Sequence, residues 1–121
     1  MQIAQKNFYK KFLGRVGEKK AEKFLISQGY KILDKNYKTY IGEIDIIAKE
    51  NDVIVFVEVK TRSSDDFGSP CEAVNSKKID KYYKVATEYL ISRKLTGYAC
   101  RFDVIEIEND SINHIVNAFS L

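Results

Sequence analysis

The sequence predicts an α/β fold in the order α-β-β-β-α-β-β. Apolar residues recur at three- and four-residue steps over about 8–28 and again over about 71–94, the period of helices buried along one side. Short β-branched and aromatic runs with period two stand at about 31–38, 42–50, 53–62, 99–108 and 112–119, the pattern of strands. Turn residues separate the runs, with Gly29 after the first helix and Asn51-Asp52 and Asn109-Asp110 between paired strands.

The first helix should bury Leu13, Gly17, Ala21, Phe24 and Leu25, with Glu18 at the edge of that face rather than on the lysine-rich side. Glu18 is then either a third carboxylate on a cleft wall or a surface acid paired along the helix with Arg15. In the strand that follows, Asn36, Tyr37, Lys38 and Tyr40 form a basic-aromatic cluster, which suits either packing or contact with nucleic acid. Residues 63–70 read as a loop holding the sole proline. The second helix should turn Val74, Ile79, Tyr82, Tyr83, Ala86, Tyr89 and Leu90 inward, and it crowds Lys77, Lys78, Lys81 and Lys84 into its first half. Positive charge there opposes the helix dipole, a cost that contact with a phosphate backbone would offset. In the last hairpin Phe102 and Val104 should share one face, and Asp103, Ile105 and Ile107 the other.

The central hairpin carries the chemistry. With Asn51-Asp52 as a two-residue loop, Glu50 faces Val53, Asp45 falls opposite Glu58, and Glu43 opposite Lys60. Alternation places Glu43, Asp45 and Ile47 on one face of their strand and Phe56, Glu58 and Lys60 together on the next. Like charges directly opposite destabilise a sheet, so something must offset the repulsion. A hard divalent cation such as magnesium would do so, and so would protonation of one acid.

At 121 residues the chain suits one domain with a single core, and 45% hydrophobic with 31% charged residues excludes extended disorder. No apolar run reaches transmembrane length and the basic, aromatic first dozen residues lack a signal core, so a soluble, cytoplasmic protein is expected. Cys71 and Cys100 have no CxxC partners, which fits reduced thiols. His114 is the single histidine, with no serine or cysteine motif to pair with it, and reads as an edge-strand residue. No glycine-rich phosphate loop occurs. Charge runs in blocks of +7 over 1–40, −5 over 41–76, +5 over 77–101 and −4 over 102–121. An acidic strand region between two basic regions suits a metal site flanked by polyanion-holding surfaces; helices carrying solvated lysines would look the same.

An acid in one strand, Glu-x-Lys in the next and a glutamate on the preceding helix resemble the PD-(D/E)XK, or restriction-endonuclease-like, superfamily. Across residues 8–108, Gly14-Arg15-x-Gly17-Glu18-x-x-Ala21, Asn36-Tyr37-Lys38, Gly42-Glu43-Ile44-Asp45-Ile46-Ile47-Ala48, Val55-Phe56-Val57-Glu58-Val59-Lys60-Thr61-Arg62 and Phe67-Gly68-x-Pro70 resemble the YraN family. That resemblance implies a central mixed sheet of about five strands flanked by two main helices, similar to archaeal Holliday junction resolvases. It also implies a metal-dependent endonuclease acting on DNA, branched or structured DNA included. Asp45 and Glu58 would hold Mg2+ or Mn2+, Lys60 would orient or activate the attacking water, and Glu18 would complete the acidic cluster. Arg15, Lys38, Arg62, Lys77, Lys78, Lys81 and Lys84 would hold the nucleic-acid backbone without reading bases. A homodimer would suit junction cleavage, although no segment marks an interface. Ile44 stands where the superfamily label has proline. The alternatives are a non-catalytic nucleic-acid-binding or protein-interaction module on the same fold, and a structural domain whose facing acids share a proton.

Overall fold

The structure is a computed structural model that describes residues 2–62 and 76–119. Its elements run α1 (Gln2–Ser27), β1 (Lys31–Lys38), β2 (Glu43–Glu50), β3 (Val53–Arg62), α2 (Ser76–Ser92), β4 (Ala99–Glu108) and β5 (Ser111–Phe119). The expected order holds. The five strands form one sheet in the order β1-β2-β3-β4-β5, with β3 and β4 parallel and the other neighbours antiparallel. The loop expected at 63–70, together with Cys71 and Val74, lies outside the described residues.

The helices cover opposite faces of the sheet. Ala21 and Leu25 of α1 pack on Ile46, Ala48, Val55, Val57, Ile105 and Ile107. On the other side Tyr82, Val85, Ala86 and Tyr89 of α2 pack on Ile44, Ile47, Ile54 and Phe56. Tyr83, expected inside, is 46% exposed, and Val85 takes the buried position instead. One residue is about 100° of helix, enough to carry a side chain off the apolar stripe.

Glycine decides how closely α1 approaches. A Cβ on Gly17 would run into the Thr61 hydroxyl of β3, so only glycine lets the helix cross the strand there. Helix α1 then stops in a Schellman turn, with Gly29 at φ 92° and the Tyr30 and Gly29 amides donating to the Leu25 and Ile26 carbonyls at 3.0 Å. The α2 terminus repeats this with Lys94 at φ 58°. Both short hairpins turn on a left-handed asparagine, Asn51 at φ 52° and Asn109 at φ 54°, a conformation asparagine tolerates better than most residues.

The β2–β3 register follows the two-residue turn, from Glu50 opposite Val53 to Ile46 opposite Val57. It is not paired beyond that point. Neither the expected facing of Asp45 and Glu58 nor that of Glu43 and Lys60 is therefore formed as a ladder pair. The simple alternation expected for β2 also breaks, because Ile44 packs on the α2 side with Ile47 whereas Ile46 packs on the α1 side. The break coincides with Asn36 of the neighbouring β1, which adopts φ 51°. Past it, the ends of β2 and β3 separate, and the acids stand at that opening.

Candidate active site

Asp45 sits where the ladder ends. Its Oδ2 accepts the Val59 N–H at 2.9 Å, so a side chain takes the place of a strand carbonyl. Burial first, then the charge of Glu58, and to a lesser degree those of Glu18 and Glu43, push the Asp45 carboxyl up to about 8, against the single hydrogen bond from Val59 that opposes it. Asp45 and Glu58 are not a ladder pair, but Glu58 lies near enough for its charge to act on Asp45.

Glu18 reaches the same cluster from α1, one residue beyond the crossing at Gly17. Its carboxyl is raised by burial, then by Glu43, with Glu58 adding and Arg15 opposing. Glu18 thus joins the acidic group, and Arg15 is only a minor opposing charge rather than a salt-bridge partner. The Asn36 amide, oriented with its nitrogen inward, donates to Glu18 Oε2 and Glu43 Oε1 at 3.1 Å each, which ties α1, β1 and β2 together at the opening. The left-handed conformation of Asn36 is what aims that amide.

Positive groups line the α2 side. Lys60 Nζ lies 3.3 Å from Glu58 Oε1, both side chains mostly buried. Lys78, in the first turn of α2, stands beside Lys60; burial first, and then that neighbour, lower its ammonium pKa, with Glu58 and Asp45 opposing. Burial and then the charge of Glu58 raise the Tyr82 phenol well above its usual range, so it stays protonated and can donate to Glu58. Glu18, Asp45, Glu58 and Lys60 thus stand in one cluster, and Lys78, expected among lysines outside it, stands beside Lys60.

The other basic residues are distributed differently. Lys77, Lys81 and Lys84 are exposed on α2, with Lys84 3.1 Å from Asp80, and Lys38 is exposed at the end of β1. Arg62 ends β3 and lines a small groove with Tyr9, Leu13 and Lys20 of α1, away from the α2 lysines. Glu43, Asn36 and Tyr82 were not expected among the catalytic or metal-holding residues. Alternation placed Glu43 beside Asp45, Asn36 was read only as part of a basic-aromatic cluster, and Tyr82 only as an inward-facing core residue.

A second polar cluster lies in β4 and β5. Asp103 is fully buried. It receives Arg101 Nε at 3.0 Å, the Asn117 N–H at 2.9 Å and His114 Nε2 at 2.7 Å. Arg101 also donates to Glu50 Oε1 at 3.1 Å and to the Tyr30 hydroxyl at 2.7 Å. Burial would raise the Asp103 carboxyl, but the bonds from His114, Arg101 and Asn117 outweigh it and hold it below the usual range. An ionised carboxylate only accepts, so Nε2 is the protonated nitrogen of His114. The edge position expected for His114 is correct, since β5 is outermost, but its side chain turns inward to Asp103.

The chain matches the family described as "Uncharacterised protein family UPF0102" over residues 17–107. It belongs to the UPF0102 family. A UPF0102 protein of Clostridioides difficile is 55% identical over 108 residues, spanning 88% of this chain and 95% of the relative. One of Clostridium acetobutylicum is 50% identical over 114 residues, spanning 89% and 93%. One of Caldanaerobacter subterraneus subsp. tengcongensis is 49% identical over 121 residues, spanning 94% and 99%. The UPF0102 match includes every residue of the acidic opening, from Glu18 to Tyr82. No helix among the described residues is long and apolar enough to cross a membrane.

Proposed function

We propose that the protein is a metal-dependent endonuclease of the PD-(D/E)XK type that cleaves phosphodiester bonds of DNA. The observation that carries this reading is the separated end of β2 and β3, where Asp45 and Glu58 repel one another while two lysines stand alongside. A structural role would favour pairing both acids, whereas among the described residues Lys60 is paired with Glu58 and Asp45 receives only the Val59 N–H. A carboxyl that burial and then neighbouring acids push up to about 8 keeps its proton at neutral pH, a proton that a bound cation would displace.

Among the described residues, no three His, Cys, Asp or Glu side chains converge as a closed metal cage. Magnesium does not require one, because it is commonly held by one or two carboxylates and completes its shell with water and phosphate oxygens. Asp45 and Glu58 supply hard oxygen donors of that kind, so the donor set fits Mg2+ or Mn2+. Such an ion, when bound, supplies Lewis acidity toward a phosphodiester and lowers the pKa of a water.

The residues of the chain do the rest. The Val59 N–H fixes one oxygen of Asp45 and so sets the direction of the other. Tyr82 and Lys60 fix Glu58 from the α2 side. Lys60 is placed to hold a phosphate oxygen as charge develops on it, or to orient the attacking water, and Lys78 adds a second cation at the same point. Glu18 and Glu43, held by Asn36, maintain the negative field on the α1 side. Lys38, Lys77, Lys81 and Lys84 hold the backbone outside the site without reading sequence.

The test is cleavage of duplex, single-stranded, flapped and branched DNA with manganese, by wild type beside Asp45→Ala and Lys60→Ala. Wild-type cleavage lost in both variants is expected. Equal nicking by all three would mean a contaminating nuclease and would remove the assignment.

A further inference from the structure

The tight connection between β1 and β2 is closed by hydrogen bonds around its most exposed residue. The Thr39 amide donates to the Gly42 carbonyl at 2.8 Å, and the Thr39 hydroxyl accepts the Ile41 N–H at 3.0 Å. Tyr40, at the tip of this closed turn, is 96% exposed. Exposing a large ring on a fixed turn gains nothing for folding, since the ring contacts neither core cluster. Across from it, Tyr83 of α2 is half-exposed and stacks on Phe102, with ring centres 6.4 Å apart and planes at 29°. Together with Ile41, Lys84, Thr87 and Ile91, the two tyrosines line an open groove of about 650 Å³. That is within the usual size of a small-ligand site, roughly 300–1,000 Å³.

Charge and continuity indicate what it would hold. Lys84 lies in the groove wall, in an exposed pair with Asp80 that a phosphate can replace; Lys77 and Lys81 precede it on exposed α2, and Lys38 stands two residues before Tyr40. Glu88 lines the groove one turn beyond Lys84, so the positive charge is concentrated toward the N-terminal half of α2, where Lys78 meets the acidic opening. Chain continuity makes the same link, because the Tyr40 turn leads directly into the strand that carries Glu43 and Asp45. Aromatic faces beside a cationic track are how proteins hold unpaired bases without reading their sequence.

We propose that the Tyr40–Tyr83 groove seats an unpaired nucleotide of the DNA substrate, its base on the tyrosines and its phosphate toward Lys84. The substrate class is then DNA with a single-stranded flap, gap or branch rather than uninterrupted duplex. This rests on the nuclease reading for the identity of the polyanion, but its test does not depend on cleavage.

Fluorescein-labelled duplexes, one blunt and one with a short single-stranded flap, are titrated with the intact chain in EDTA. The flapped DNA should bind more tightly, and Tyr40→Ala should weaken that binding roughly tenfold while leaving the blunt duplex unchanged. Tyr40→Phe should keep the preference, because its ring still stacks. Equal binding of the two DNAs by wild type, or equal weakening of both by Tyr40→Ala, overturns the proposal. A concentration-dependent dimer in light scattering that Tyr40→Ala abolishes would assign the groove to a second copy and overturn it too. Failure of the nuclease reading is seen separately, as manganese-dependent cleavage by Lys60→Ala as fast as by wild type while the flap preference persists.

Discussion

Asp45 and Asp103 occupy comparable places in one sheet and meet opposite fates. Each stands where a strand pairing is irregular, Asp45 at the end of the β2–β3 ladder and Asp103 at the register shift between β4 and β5. Each accepts an amide of the neighbouring strand at 2.9 Å, Val59 in one case and Asn117 in the other. The backbone treats them alike. Their side-chain company differs, since Asp103 is met by Arg101 and His114 and is held below the usual carboxylate range, whereas Asp45 is met by Glu58, Glu18 and Glu43 and is held up to about 8. A buried carboxylate costs stability unless it is paired. The fold meets that requirement in β4 with cationic partners and in β2 by leaving a proton on Asp45, which makes β2 the place where a bound cation would take that proton's part.

Substitution should separate the two most clearly. Asp103→Ala would strand Arg101, His114 and the Asn117 N–H together, and breaking a buried charged pair from one side costs about 3–5 kcal/mol. Urea denaturation should show a loss of that order, with no effect on metal response. Asp45→Asn keeps an acceptor for Val59 and removes the repulsion, so the metal-free protein should be at least as stable as wild type. Its DNA cleavage should nevertheless fall by about 10²–10³, the usual scale for losing one electrostatic stabiliser of a transition state. Equal destabilisation by the two substitutions would break the comparison.

The pH dependence sharpens it, measured in EDTA so that no metal intervenes. Asp103 is lowered in the folded state, so its contribution is complete above the ordinary aspartate value of about 3.9 and is lost as pH falls below it toward the folded value. Asp45 is raised, so between about 4 and about 8 the folded protein keeps a proton that the unfolded chain has released, and stability falls as pH rises through that window. Asp45→Asn should flatten the second slope and leave the first. Melting temperatures across pH 3–9 distinguish the two limbs.

The first of these regions was legible in the sequence and the second was not, for a physical reason. A two-residue turn sets its own register, so Glu50 opposite Val53 carried the count up to Ile46 opposite Val57 and left Asp45 and Glu58 just beyond the paired ladder, within reach of each other's charge. The same count failed one step further, because it assumed unbroken alternation and the left-handed Asn36 lies outside the hairpin being counted. Glu18 was legible by helical projection, and the need for glycine at its neighbour Gly17 was not, since that depends on where Thr61 comes to lie. Asp103, Arg101 and His114 looked like ordinary alternating residues on two strands. What joins them is a bulge at Asn117, at φ 54°, and nothing local in the sequence announces it. The spacing of Arg101 and Asp103, two apart and so on one face, was the one available hint.

The smallest effects should differ in sign. Glu50 lies at the rim of the Asp103 network, 3.1 Å from Arg101, with 38% of its side chain exposed, and its carboxyl is lowered by hydrogen bonds from Tyr30 and Arg101. Glu50→Gln keeps an oxygen for both donors and loses only an exposed charge pair, which is worth about 0.2–1 kcal/mol. Glu43 is the rim residue of the acidic opening, and its charge raises both Glu18 and Asp45. Glu43→Gln keeps the acceptor for Asn36 and removes one repulsive charge, so the metal-free protein should gain a few tenths of a kcal/mol, the scale of surface charge changes. Denaturation midpoints at pH 7 and low salt, where such terms are least screened, read both. A loss in each would mean that the acidic opening is compensated as fully as the Asp103 network, and with that the case for a missing cation at Asp45 would fail.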